Sequence, residues 1–391
     1  MSLLALINGR IVSGERLIDE HMMLIENDRI VEIRSDQTPP TGATVLDVQG
    51  HIIAPGFIDI HVHGGGGYDT MDATPEALQG IATFVASHGV TSFLPTTIAS
   101  SQQQVQAAVE NVASYQQRHR DVDGAHILGM HLEGPYLNTA YPGAQPPHHI
   151  RPADPGEYER LFVQGNISLI SLAPEISVNL ELVKYAVAHG ARVAVGHSAA
   201  QYEEVMEAVA CGVTQACHIF NGMRGLHHRE PGTVGAVLSC DEIYAQVIAD
   251  LIHVHPAVLK ILIRAKGVAR TILITDAMRA AGLPDGHYDL GGQEVTVCDG
   301  AVHLVHGDSL AGSVLTMDQA VLNVMQTTQL SLPQAVSMAT SVPAESLGLG
   351  HEIGTLAPGY LADLVVFDAQ VHVLATIVHG TLTYRSQDFR A

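Results

Sequence analysis

The chain has 391 residues, 47% hydrophobic and only 15% charged, which supports a large buried core and leaves no room for a long disordered tail. Its formal net charge of −21 excludes the broad cationic surface that nucleic acid or an anionic membrane requires, and points to a small-molecule partner. Cys211, Cys217, Cys240 and Cys298 form neither a disulfide framework nor a CxxC pair, so they read as reduced thiols of a cytoplasmic protein.

The first ten residues carry no basic segment ahead of their short apolar run and read as a β-strand rather than a signal peptide. Nowhere does an apolar run reach the roughly 18 residues of a spanning helix. Short β-rich runs at 3–7, 22–25, 30–33 and 44–48 alternate with polar turns, and the texture returns at 364–367, 371–374 and 381–384. Residues 1–54 and 353–391 are therefore expected to build one small β-sandwich domain around a larger unit at 55–352.

In that larger unit eight apolar, β-rich runs are separated by helical stretches. The runs fall at 57–63, 90–96, 127–133, 167–173, 192–197, 215–219, 244–250 and 271–276. Helical spacing of apolar residues is clearest at 75–88, 178–189, 201–211 and 256–266. The alternation predicts an α/β fold, a (β/α)8 TIM-like barrel, with a doubly wound open sheet as the rival. The barrel is preferred because His61, His63, Glu133, His197, His218 and Asp276 all end predicted strands, and only a barrel gathers five such ends on one face.

His61 and His63 stand two apart in Phe57-Ile58-Asp59-Ile60-His61-Val62-His63, so on a strand both rings point to one face and can grip one ion. Glu133 ends the run Gly129-Met130-His131-Leu132-Glu133-Gly134-Pro135, where two carboxylate oxygens can bridge two cations; capping the next turn is its structural alternative. His197 and His218 complete a His/His/carboxylate set open enough for a metal and its water. Asp276, in Ile274-Thr275-Asp276-Ala277, can take a proton from that water and return it to a leaving nitrogen, or else cap a helix. Such a metal lowers the pKa of bound water from about 15.7 towards 7 and polarises a carbonyl. The chemistry indicated is hydrolysis of a C–N bond, with amide hydrolysis and deamination both open.

Nearly end to end, the motifs resemble the N-acetylglucosamine-6-phosphate deacetylase family of the amidohydrolase superfamily: Ala54-Pro55-Gly56-Phe57-Ile58-Asp59, His131-Leu132-Glu133-Gly134-Pro135, Gly354-Thr355 and Ala362-Asp363-Leu364. The fourth strand has no lysine to carbamylate, and in this family the glutamate of the third strand supplies the bridge. The resemblance implies that Glu133, His197 and His218 hold the main metal, and that His61 and His63 hold a second with Glu133 and Asp276. One or two divalent ions are thus expected, zinc foremost, with iron, manganese and cobalt also suited to the donors.

The resemblance further assigns substrate contacts to Ala144, Gln145, Asn221, Gly222, Arg229, His253, Leu310, Ala311 and Gly312. His253 would orient the sugar or polarise the acetyl carbonyl, acting beside Asp276 in catalysis. Arg229 lies in the basic cluster His227-His228-Arg229, which suits a phosphate. In the homodimer common to the family, His227 or His228 would reach the neighbour's phosphate. Leu251 and Gly222 depart from the glycine and alanine usual at those positions. The reaction implied is release of acetate from N-acetylglucosamine 6-phosphate. The galactose-configured substrate is the nearest alternative; a cyclic-amide hydrolase, a deaminase and a non-catalytic scaffold are more distant ones.

Overall fold

The computed structural model describes residues 3–118, 124–307 and 309–389. Eight parallel strands form its centre: Phe57–Val62, Val90–Pro95, Met130–Glu133, Ile167–Leu172, Arg192–Val195, Val213–Ala216, Tyr244–Ile248 and Thr271–Ile274. Their residues are almost all buried, the pattern of parallel strands covered by helices on one face and by each other's side chains on the other.

Pairing runs unbroken from the third strand to the eighth, and separately between the first and second. Parallel bridges Thr96 to His131 and Val62 to Ala277 join the two sets, so the sheet curls back and the first strand lies beside the eighth. This closure decides against the open doubly wound sheet. The third strand is divided: His126–Ile127 pairs with the second strand and Met130–Glu133 with the fourth.

The helix Pro75–Ser87 shows how sequence fixes the outer layer. Thr74 caps it, its hydroxyl accepting from the Ala77 amide at 3.2 Å, and proline occupies the first turn where its missing N–H costs nothing. Leu78, Ile81, Ala82 and Val85 recur at three- and four-residue spacing and are buried against the barrel. Cutting Leu78 to alanine would cost about 2–5 kcal/mol, the range for such a cavity.

Strands from both ends of the chain join one eight-stranded sheet. The long strand Leu3–Ser13 serves two partners along one edge, Thr44–Asp47 beside Leu4 to Ile7 and Ile52–Pro55 beside Arg10 and Ile11. Ile52–Pro55 in turn pairs antiparallel with Leu364–Phe367. Leu6, Ile11, Ile53, Leu364 and Ile377 are among the residues of its separate core.

Three details differ from expectation. Ile52–Pro55 is a strand that merges in sequence with the next, only Gly56 parting them. The run expected at 371–374 begins later, at Val373–Val378, because Val371 closes a turn on the Asp368 carbonyl with φ 64°. A three-stranded antiparallel sheet, Gly286–Leu290, Gln293–Cys298 and Ala301–Leu304, is inserted after the eighth barrel strand. Among the described residues no helix is long and apolar enough to cross a membrane.

Candidate active site

Glu133 ends the third barrel strand with both carboxylate oxygens inside the barrel mouth, 1% exposed. One oxygen, Oε1, stands 3.2 Å from His197 Nε2 and 3.0 Å from His218 Nε2, and the two imidazole nitrogens are 3.1 Å apart. The other, Oε2, stands 3.7 Å from His61 Nε2 and 3.4 Å from His63 Nε2. Asp276 Oδ1 lies 3.2 Å from each of those same two nitrogens, which are 3.3 Å from one another. Glu133 thus belongs to a three-donor group and a four-donor group at once.

The donor chemistry fits divalent ions. His197 Nδ1 and His218 Nδ1 face the carbonyl oxygens of Tyr141 at 3.0 Å and Asn221 at 3.1 Å. A carbonyl only accepts, so each Nδ1 carries a proton, and in the neutral ring each Nε2 offers a lone pair. Lone pairs aimed at one another and at a carboxylate are what a cation between them would satisfy. Donors at about 2.1 Å around a tetrahedral ion stand about 3.4 Å apart, matching the 3.2–3.7 Å that separate the His61 and His63 nitrogens from the oxygens of Glu133 and Asp276. Asp276 Oδ1, buried, has no hydrogen bond of its own among the described residues, as expected of an oxygen left for an ion.

The charges support one another. Burial alone would raise the Glu133 carboxyl, but the four imidazoles around it hold it well below the usual carboxylate range. Asp276 is lowered in the same way, His61 and His63 outweighing burial. His63 is pulled the other way: burial disfavours its charge, yet Asp276 and Glu133 hold its proton affinity well above the ordinary histidine value.

Backbone geometry aims these groups. His197, His218 and Asp276 all take left-handed φ, at 47°, 25° and 51°, where the chain leaves the strand and turns. Such conformations cost of order 1–3 kcal/mol each and persist only when neighbours fix them. Asp276 is fixed on both sides, its amide donating to the His61 carbonyl at 2.9 Å and its carbonyl accepting from Ser313 at 2.8 Å. No helix follows it, which removes the capping alternative. Around His197 there is space only for glycine: a Cβ on Gly222 would meet the ring Nδ1 at 2.9 Å and one on Gly143 its Cε1 at 3.1 Å.

A cavity of about 330 Å³ opens above the donors. All of the predicted site residues line it except four. His61 lies behind its wall, 0% exposed, with Nε2 among the donors. Ala311 is buried in the packing beneath, between Leu310 and Gly312, which do line it. His228 and Arg229 sit on an exposed turn closed by hydrogen bonds between the His227 and Glu230 backbones, outside the cavity of their own chain. Gln145 lines the cavity and also donates to Glu133 Oε2 at 2.7 Å.

Sequence reasoning passed over three supporting residues. Asp250 holds His253, with Oδ2 2.6 Å from Nδ1, and the i to i+3 spacing was the only signal. Asp59 accepts from the His61 and Thr275 amides and the Thr275 hydroxyl, clamping the first strand to the end of the eighth. Cys217 stands against His61. Leu251 takes φ 66°, the left-handed region that glycine enters freely, so the departure noted in the sequence places a bulky residue in a strained turn beside Asp250.

The amidohydrolase family model matches residues 52–385, and the NagA composite domain matches residues 3–53. The chain belongs to the amidohydrolase family. Among amidohydrolases it is similar to the N-acetylgalactosamine-6-phosphate deacetylase of Escherichia coli O157:H7, 38% identical with 95% of this chain and 97% of that one covered. It is equally similar to the N-acetylglucosamine-6-phosphate deacetylase of Vibrio furnissii, 38% identical with 96% and 94% covered. The crystal structure of N-acetylglucosamine-6-phosphate deacetylase from Pasteurella multocida superposes with a TM-score of 0.93 at 29% identity, over 98% of this chain and 100% of that one.

Proposed function

We propose that this amidohydrolase removes the N-acetyl group of N-acetylglucosamine 6-phosphate, giving acetate and glucosamine 6-phosphate. The observation that carries the reading is the pair of donor groups sharing Glu133 at the floor of a cavity that Asp276 and His253 both line. The geometry supplies metal-assisted C–N hydrolysis; the names of relatives supply the acetamide and the sugar phosphate.

Glu133, His197 and His218 would hold one divalent ion and His61, His63, Glu133 and Asp276 a second, with zinc proposed for both and iron, manganese or cobalt compatible with the donors. Bound metal supplies Lewis acidity at the carbonyl and a water acidic enough to ionise near neutral pH. Asp276 is proposed to hold the proton taken from the attacking water and to return it to the leaving amine nitrogen. Asp250 accepts the Nδ1 proton of His253, so that Nε2 of the neutral ring would orient the sugar by accepting from a hydroxyl, and that of the doubly protonated ring would donate to the acetyl carbonyl. Glycines 143 and 222 keep the mouth clear around His197.

We further propose a cytoplasmic homodimer whose two-part chain divides at 54 and 353. Because His228 and Arg229 stand outside their own cavity, the phosphate they serve is proposed to be the partner subunit's. The test is acetate release from N-acetylglucosamine 6-phosphate, its galactose-configured epimer and the unphosphorylated sugar. The reading predicts the highest kcat/KM for the first and little turnover of the third. Equal turnover of the unphosphorylated sugar would contradict it, and preference for the epimer would move the assignment to the galactosamine substrate.

A further inference from the structure

The four metal-facing imidazoles are not supported alike. His197 and His218, of the three-donor group, each give the Nδ1 proton to a backbone carbonyl, at 3.0 and 3.1 Å. In the four-donor group, His63 Nδ1 is buried with no hydrogen-bond partner among the described residues. His61 Nδ1 faces a sulfur, Cys217 Sγ, at 3.3 Å.

Cys217 and His61 are both 0% exposed, so bulk solvent reaches neither group. When His61 Nε2 offers its lone pair to an ion, Nδ1 must carry the proton and needs an acceptor inside the protein. The rings and hydroxyls nearby are engaged elsewhere: His131 stacks edge-on against His61 with centroids 4.6 Å apart, but its nitrogens face Thr96 Oγ1 and Ser171 Oγ. The Cys217 thiol can accept from His61 and pass its own hydrogen to Glu133 Oε1, 3.6 Å away. Cys217 thus links His61 to the carboxylate that both donor groups share.

We infer that Cys217 is a positioning residue that fixes the tautomer of His61 and thereby acts chiefly on occupancy of the four-donor position; the three-donor position keeps its two carbonyl supports and shares with Cys217 only the 3.6 Å contact at Glu133 Oε1. The inference rests on the two-ion reading given above. A thiol is a weak acceptor, so this position is held by the poorer of the two supports, and removal of such an outer partner costs about 10–100-fold in metal affinity.

The experiment is a cobalt(II) titration of chelator-stripped protein, read by visible absorption and by metal content after desalting, for wild type and for Cys217→Ala, Cys217→Val and Cys217→Ser. Wild type should take up two equivalents. The alanine and valine variants should bind the second equivalent about 10–100-fold more weakly and the first with a clearly smaller loss, while serine, which keeps an acceptor, should restore both. Thermal midpoints of the metal-free proteins separate loss of the position from loss of the fold, and the two acceptor-free variants differ in volume so that one packing defect does not decide the result. Unchanged two-equivalent binding in alanine and valine overturns the role of Cys217 alone. Uptake of a single equivalent by wild type at every concentration overturns the two-ion reading, and the inference with it.

Discussion

Asp276 is the residue on which the chemistry turns. Its carboxyl stays ionised because His61 and His63 outweigh its burial, and its backbone is locked in a left-handed turn by hydrogen bonds on both sides. Asparagine is isosteric there but cannot carry the proton. Asp276→Asn is expected to lower kcat by about 10²–10⁴ while the three-donor group, which excludes it, keeps its ion. Full turnover with normal metal content would remove Asp276 from the proton path. At this scale the sequence was informative wherever a polar residue ended an apolar strand, since little but chemistry explains a histidine or carboxylate there. It was silent on Cys217 and Asp59, whose roles depend on what lies opposite them across the barrel; a thiol inside Ala216-Cys217-His218 looks like any small core residue until His61 is seen at 3.3 Å.

Among the elements, the barrel strands were legible because their burial makes continuous apolar runs. The three-stranded insertion after the eighth strand was not read, although Leu290-Gly291-Gly292-Gln293 between alternating residues is a hairpin signal. Its tip is functionally placed. Leu290 lines the cavity, the Gln293 side-chain amide donates to the Ala144 carbonyl, and Gly291 has φ 57° with its missing Cβ 2.4 Å from Ile98 Cγ2. A side chain at Gly291 would both strain the turn and push the hairpin off Ile98, which also lines the cavity. Gly291→Val should therefore raise KM several-fold with a smaller change in kcat, since it reshapes the wall and leaves the donors in place. A steady-state comparison with the phosphorylated sugar checks this, and a loss confined to kcat would contradict it.

For the molecule as a whole, both ends of the chain build the sheet that packs beside the barrel, and the two units meet at a histidine pair. His126 in the divided third strand and His379 in the turn after Val373–Val378 have ring centroids 4.8 Å apart. Burial, and then the proximity of His379, lower His126 from 6.5 to about 4. The unfolded chain therefore takes up this proton first. The stability His126 contributes is complete above about pH 6.5 and is lost as pH falls towards 4, up to about 3 kcal/mol over that window. His126→Gln should flatten the fall in melting temperature between pH 7 and 4.5; parallel curves for the two proteins would show that the contact does not titrate as described. The sequence foretold that the termini meet, from the return of β texture at the end of the chain, but no pattern in it showed which loops of the barrel they would touch.

The central claim, that the paired donor groups make this an amide hydrolase, is tested most directly by acetate release from N-acetylglucosamine 6-phosphate before chelation, after exhaustive chelation and after restoring a divalent ion. The account predicts turnover that disappears with the metal and returns with it, the protein remaining folded throughout. Undiminished acetate release from protein shown to be free of metal would contradict it.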